Sequence, residues 1–155
     1  MPIIPIGYLK SRNPMHKKAK INLYTAEGRK AIKKHETYDI YSLQYMMKHP
    51  IQDRSIEYND NRLSLYAAQK GKCAVTGKEL IVWKSAHCHH KIPKSLGGDD
   101  KYKNLTLVSE EVHKLIHATN ADTISKYLNE LHLDTKQLDK VNKLRVMAEL
   151  ETIKQ

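Results

Sequence analysis

The feature that most constrains this chain is a short segment, residues 87–117, that collects five of its nine histidines. His89 and His90 stand side by side before Pro93, and His113 and His117 stand four residues apart further on. Histidines scattered over a core or a surface would have no reason to gather in this way. Since imidazole is a common ligand of divalent metals, the cluster predicts a single-metal site.

The second histidine pair falls in a predicted helix. Ser109 is a good N-cap, and the two glutamates that follow it suit the positive end of the helix dipole. His113 and His117 then project from one face, close enough to share one ion. A histidine pair at this spacing more often lies on the surface or takes part in packing than binds a metal, but the clustering favours ligands. Zinc proteases carry Glu after the first histidine, and Lys114 at that position argues against protease chemistry.

The first histidine pair falls on a predicted strand, residues 86–90, that Pro93 ends. Strand alternation would send His89 and His90 to opposite faces unless the chain is already bending. A bend would bring both near the metal, one as a ligand and one free. A third ligand is therefore expected from this strand, and the pattern alone leaves open which histidine supplies it.

These residues carry a family resemblance. The run His89-His90-Lys91-Ile92-Pro93, then Gly97-Gly98, Asn104-Leu105 and His113-x-x-x-His117, resembles the HNH endonuclease motif. Two further segments are similar to the carboxyl-terminal part of group II intron reverse transcriptase/maturase proteins, in which a DNA-binding segment precedes the HNH domain. They are SIEYNDNRLSLYAAQKGKCAVTG and PIGYLKSRNPMHKKAKINLYTAEGR. No Tyr-x-Asp-Asp box is present, which predicts a fragment or a stand-alone remnant of such a protein.

The resemblance implies a fold class and a role for each motif residue. The fold is α+β: a two-strand, one-helix (ββα-metal) HNH finger embedded in helices, with a basic, mostly helical N-terminal extension. His89, His113 and His117 would bind the metal, His90 would be the general base, and Asn104 would orient that base. The family points to Mg²⁺ or Mn²⁺, while three imidazoles would also suit Zn²⁺ or Ni²⁺.

The chain departs from many relatives in its cysteines. Their structural zinc is bound by C-x-x-C pairs, but here Cys73 is followed by Thr76 at the partner position, and Cys88 is the one other cysteine. A four-cysteine zinc ribbon cannot form, so both thiols are expected to pack as small apolar groups. Two cysteines without a signal peptide predict a cytoplasmic protein, and the absence of a long apolar run predicts no membrane span.

The charge of the chain predicts a nucleic-acid partner. The net charge is +10 and the pI is about 9.5. Residues 1–54 hold 11 Lys and Arg against 4 Asp and Glu, so this third is the expected phosphate-tracking surface. The alternative is a basic, partly disordered leader. The candidates there and beside the site are Lys10, Arg12, Lys17, Lys18, Lys20, Arg29, Lys30, Lys33, Lys34, Lys91 and Lys94.

Punctuation and periodicity predict the remaining organisation. With the resemblance, they imply that residues 1–54 would be a basic DNA-binding-like extension, 55–118 the HNH domain, and 119–155 two helices that pack on it. Helices are expected from Thr25 to His35, from Asp39 to before Pro50, over 56–70, and over 122–133 and 135–149. A strand is expected over Leu80–Trp83.

The predicted function is a metal-dependent DNA endonuclease that makes single-strand cuts. Its task, as the resemblance implies, would be second-strand cleavage that exposes a primer for intron reverse transcription. Its partners would be DNA and, further, intron RNA and a reverse-transcriptase domain. The alternative is a non-catalytic nucleic-acid-binding maturase fragment whose metal finger is structural.

Overall fold

A computed structural model describes residues 24–35, 39–82 and 86–154. Over these residues the protein has six helices and one antiparallel sheet of two strands, so the predicted α+β class is confirmed. The elements are α1 Ala26–His35, α2 Ile40–Lys48, α3 Ile56–Ala68, β1 Ala86–His90, β2 Leu105–Ser109, α4 Glu110–His117, α5 Ala121–Leu131 and α6 Thr135–Met147. None of these helices is long and apolar enough to cross a membrane.

The described residues divide into two compact units. One contains α1, and the other contains residues 39–154. The predicted boundary between residues 54 and 55 lies inside the second unit, where Arg62 of α3 donates to the carbonyls of Met46 (3.2 Å) and His49 (3.1 Å). These hydrogen bonds connect α2 and the turn after it to α3.

The helices begin where capping residues predict. Thr25 Oγ1 accepts from the backbone N–H of Gly28 at 3.0 Å, and the carboxylate of Asp39 accepts from two N–H groups of α2. Ser109 caps α4, and Asp134 forms a reciprocal capping box with Gln137 at the start of α6. These side chains satisfy N–H groups that a helix end leaves unpaired.

The sheet is formed by β1 and β2, with Cys88 opposite Leu107 and His89 opposite Thr106. The predicted strand at 86–90 is confirmed. The predicted strand over Leu80–Trp83 is wrong for residues 80–82, and Trp83 lies outside the described residues. A tight turn closed by Gly77 (φ +70°) brings the chain back for a single bridge between Lys72 and Glu79, after which the pairing stops.

The outer edge of β2 is paired by a side chain. Gln69, immediately after α3, donates from Nε2 to the carbonyl of Leu107 and accepts from the N–H of Leu107 at Oε1, both at 2.9 Å. The amide thus takes the place that a third strand would occupy, and it fixes the end of α3 against the sheet.

The core runs from α3 across the sheet to α6. Val112, Leu115 and Ile116 of α4 and Val141 of α6 have no exposed surface. The two C-terminal helices, α5 and α6, pack on α4. Both cysteines are free: Cys73 is buried, and Cys88 is half-buried against the core.

One buried cation ties α6 to the end of α4. Arg145 is 3% exposed and donates from Nη1 to the carbonyls of Leu115, Ile116 and Ala118 at 2.8–3.0 Å. These are carbonyls at a helix end, which lack intrahelical partners. The C-terminal helices therefore stabilise the helix that carries His113 and His117.

Candidate metal centre

Three histidines converge between β1 and α4. His89 is the buried residue of the strand, and His113 and His117 come from successive turns of one helix face. One ring nitrogen of each lies within 4.8 Å of the other two. His117 Nε2 and His89 Nδ1 are already 3.3 Å apart. The structure therefore brings together all three predicted metal ligands.

The electrostatics of the three rings suit a metal. Burial and the neighbouring histidines lower the pKa of His89 to about 3, and burial and His117 lower the pKa of His113 to about 4. Burial, with a contribution from Arg145, lowers the pKa of His117 as well. At neutral pH the rings are uncharged and can offer lone pairs.

His89 supplies the test of whether a metal fits here. It is 2% exposed, and its Nε2 has no hydrogen-bond partner among the described residues. Nδ1 of the same ring is 3.3 Å from Nε2 of His117, so a buried nitrogen of His89 is left without a partner beside the other two rings, which is costly. The donor set, three imidazoles, suits Zn²⁺, Ni²⁺ or Mn²⁺ and leaves room for a further ligand.

His90 lies beside the triad but belongs to a different contact network. Its Nε2 is 2.8 Å from Oδ1 of Asp100, and its ring stacks on Tyr58 with a centroid distance of 5.4 Å and an interplanar angle of 20°. Oδ2 of Asp100 accepts from Ser55 Oγ (2.6 Å) and from Lys94 Nζ (2.8 Å). His90 is therefore held by a carboxylate on one edge and an aromatic ring on its face.

Asp100 is a functional candidate that the sequence analysis missed. It is 8% exposed, and burial alone would raise its pKa. The hydrogen bonds from Lys94, Ser55 and His90 outweigh burial and hold its pKa below the usual range. In the sequence Asp100 follows Gly97-Gly98-Asp99, and nothing in that run indicates its hydrogen-bond partners.

Among the described residues, the side chain of Asn104 forms no hydrogen bond with the ring of His90. Its Nδ2 donates to the carbonyls of Ile92 (3.1 Å) and Asp99 (2.8 Å), and its Oδ1 accepts from the N–H of Ile92 at 2.9 Å. Asn104 therefore holds the two ends of the loop that carries Asp100. The predicted orienting role would act through this loop, whereas the hydrogen bond to the His90 ring comes from Asp100.

The loop closes tightly at its glycine pair. A Cβ on Gly98 would lie 1.8 Å from the carbonyl oxygen of Ile92 and 2.9 Å from Asn104 Nδ2. Gly97 has φ +84°, a left-handed conformation that favours glycine. The first glycine is needed for the turn, and the second is needed for the close approach of two backbone segments.

The triad and His90 border one cavity of about 220 Å³. Its lining includes His89, His90, His113, His117, Arg54 and Lys94. Both histidines of the adjacent pair thus face the same space, one among the ligands and one beside them. The cavity can hold a cation at the three histidines and an anion beside Arg54 and Lys94. His90 is a proton acceptor next to both.

The predicted phosphate-binding cations differ in their surroundings. Lys94 pairs with Asp100, and Lys91 donates to the carbonyl of Lys103 at 2.7 Å. Arg29 and Lys30 are exposed on α1. Five of the predicted residues lie outside the described part of the chain, and for two others only the backbone is described. The five are Lys10, Arg12, Lys17, Lys18 and Lys20, and the two are Lys33 and Lys34.

No family model, no curated protein and no solved structure matches this chain. The function of the three-histidine centre is therefore inferred from the chemistry and geometry of its own side chains.

Proposed function

We propose that this protein is a metal-dependent endonuclease of the HNH type that cuts one strand of DNA at a time. The observation that carries the proposal is that His90, held by Asp100, and the three-histidine centre border the same cavity. The order β1, β2, α4 matches the strand–strand–helix finger that the motif resemblance implies.

The ligand count favours catalysis over a structural role. Structural zinc sites in proteins are closed by four protein ligands, whereas catalytic sites keep three and leave a position open. Among the described residues three histidines meet here. A structural finger would also have no use for a histidine oriented by a buried carboxylate in the same cavity.

Each side chain has a role in phosphodiester hydrolysis. His89, His113 and His117 would hold the ion, whose charge offsets the negative charge that develops on the phosphate and the leaving oxygen. When Nε2–H of His90 donates to Asp100, Nδ1 keeps the free lone pair and can take a proton from the attacking water. The water oxygen then bonds to phosphorus as the bond to the leaving oxygen breaks.

The resemblance also supports a biological task for this chemistry. In that proposal the protein cuts the second target strand and so exposes a primer for reverse transcription of an intron. DNA is then the substrate, and intron RNA and a reverse-transcriptase domain are further partners. The metal would be Mg²⁺ or Mn²⁺, with Zn²⁺ or Ni²⁺ as alternatives suited to imidazole.

The first test concerns His90. We expect His90→Ala to lower nicking of supercoiled plasmid by about 100- to 10,000-fold, because the base is lost while the ligands stay. Calorimetric metal affinity should be unchanged. Loss of metal affinity along with nicking would instead mean that His89 and His90 have exchanged roles.

The second test concerns the centre itself. His113→Ala and His117→Ala should each abolish tight metal binding and nicking together, since two remaining ligands hold an ion poorly. His87→Ala is the matched control, because His87 stacks on His113 with a centroid distance of 5.0 Å but lies outside the triad. It should keep the metal.

Two outcomes would contradict the proposal. Full metal occupancy in His113→Ala would rule out the three-histidine centre. A wild-type protein that binds metal through the triad but nicks no plasmid with any of the four ions would be the non-catalytic fragment with a structural finger.

A further inference from the structure

Arg54 is the arginine that lines the cavity of the three-histidine centre. It stands directly before Ser55, the N-cap of α3, and its backbone N–H donates to the carbonyl of Ile51 at 3.2 Å. Its backbone is therefore fixed between a turn and a helix start, although its side chain is exposed.

The guanidinium of Arg54 rests on a rigid surface. Its Cζ lies 5.3 Å from the ring centroid of Tyr58, a residue that is 4% exposed and whose hydroxyl donates to the carbonyl of Cys88 at 2.9 Å. The same Tyr58 ring stacks on His90. A cation held over a fixed aromatic ring loses less freedom when it binds a ligand.

Arg54 also differs from Lys94, the lysine that lines the same cavity. Lys94 is bound to Asp100, whereas Arg54 forms no ion pair with a carboxylate among the described residues. Its planar fork of N–H donors is therefore available to an anion.

The ligand that this arrangement fits is a phosphate. A guanidinium binds two oxygens of a phosphate at once, and Arg54 borders the cavity that the proposed reaction uses. Asp100, the carboxylate nearest to the base, is already bound by Ser55, Lys94 and His90 and offers little repulsion. We infer that Arg54 binds a backbone phosphate of the nucleic-acid strand in this cavity, an inference that rests on the proposed function.

The test compares Arg54→Ala and Arg54→Lys with Lys126→Ala in the full chain. Lys126 is a matched control because it is exposed, its Nζ lies 5.5 Å from the Tyr127 ring centroid, and it is on α5 outside the cavity. For each protein we would measure metal affinity, binding of a DNA duplex at several salt concentrations, and plasmid nicking.

Arg54→Ala should lower kcat/KM for nicking by about 10- to 100-fold relative to Lys126→Ala. The slope of log affinity against log salt should fall by about 0.9, the contribution of one phosphate contact. Arg54→Lys should recover the salt slope but only part of the nicking, because a point charge replaces the fork. Metal affinity should stay constant in all variants.

The inference would be overturned if Arg54→Ala equals Lys126→Ala in both the salt slope of DNA binding and the nicking rate. It would also be overturned if Arg54→Ala loses metal affinity. If Arg54→Ala does not fold, an Arg54→Lys protein with full nicking would overturn it equally. A wild-type protein that never nicks, while Arg54→Ala alone loses the slope of one contact, would overturn the nuclease proposal and support the phosphate contact.

Discussion

Asp100 connects three parts of the chain through one carboxylate. It accepts from His90 on β1, from Lys94 in the loop after β1, and from Ser55 at the start of α3. Charge-assisted hydrogen bonds of this kind are about twice as strong as neutral ones. The residue therefore orients the proposed base and also joins α3 to the loop.

We predict that Asp100→Asn destabilises the protein at pH 7 by about 1–3 kcal/mol and weakens nicking while metal affinity holds. The lowered pKa of Asp100 sets the pH dependence. Its charged form stabilises the fold above the unfolded pKa of about 4, and that stability is lost as the pH falls toward the folded pKa. In urea unfolding, the difference between the two proteins should shrink below about pH 4. A constant difference would contradict the ion-pair network.

The site residues show which contacts a sequence can predict. The pair His113 and His117 follows from helical i, i+4 spacing, which is a local rule, whereas the choice of His89 over His90 rests on the family resemblance. Asp100 and Arg54 escape such rules because their roles depend on how α3 packs beside the loop, and Ser55 and Asp100 are 45 positions apart. The motif predicts that Asn104 orients the base, but its side-chain hydrogen bonds are with backbone atoms of the loop.

The loop between β1 and β2 depends on two glycines for different reasons, which gives a matched pair of variants. Gly98→Ala would drive a Cβ into the Ile92 carbonyl and displace Asn104, so we expect a loss of about 3 kcal/mol or more in the free energy of unfolding. Gly97→Ala meets no atom within 4 Å and should cost roughly 1–2 kcal/mol of backbone strain. Denaturant unfolding measures both, and equal losses would mean that the close approach is unimportant.

Element prediction succeeded where a local signal was present. Thr25, Asp39 and Ser109 mark helix starts because each can bond to N–H groups two or three residues ahead. The strand expected over Leu80–Trp83 failed because a strand needs a partner, and residues 80–82 have no strand beside them. Whether a strand finds a partner strand depends on the whole fold, whereas a helix cap depends only on residues next to it in the sequence.

Along the sequence, most of the net positive charge lies outside the residues that form the three-histidine centre. Residues 1–36 contain nine Lys and Arg against two Asp and Glu, a surplus of seven out of the net +10. The centre and its core lie entirely within residues 39–154. Affinity for DNA and cleavage of DNA can therefore be tested apart.

We expect a protein lacking residues 1–36 to fold, to bind metal normally and to nick DNA at high protein concentration. Its affinity for duplex DNA should fall, and the salt dependence should flatten by about 0.9 in log–log slope for each phosphate contact removed. Circular dichroism and binding titrations at several salt concentrations check this. If DNA affinity and its salt slope are unchanged, DNA binding would be assigned to the second unit, and residues 1–36 would be a solvated tail.

The Gln69 amide has a consequence for self-association. A sheet of two strands exposes unpaired backbone groups along its outer edges, and such edges are sites where chains join into aggregates or fibrils. At Leu107, the middle of β2, the N–H is taken by Gln69, and the carbonyl is taken by both Gln69 and the N–H of Ala74. At this position the edge is closed by its own chain, and a residue without an amide at position 69 would leave the N–H of Leu107 unpaired, while its carbonyl would keep the bond from Ala74.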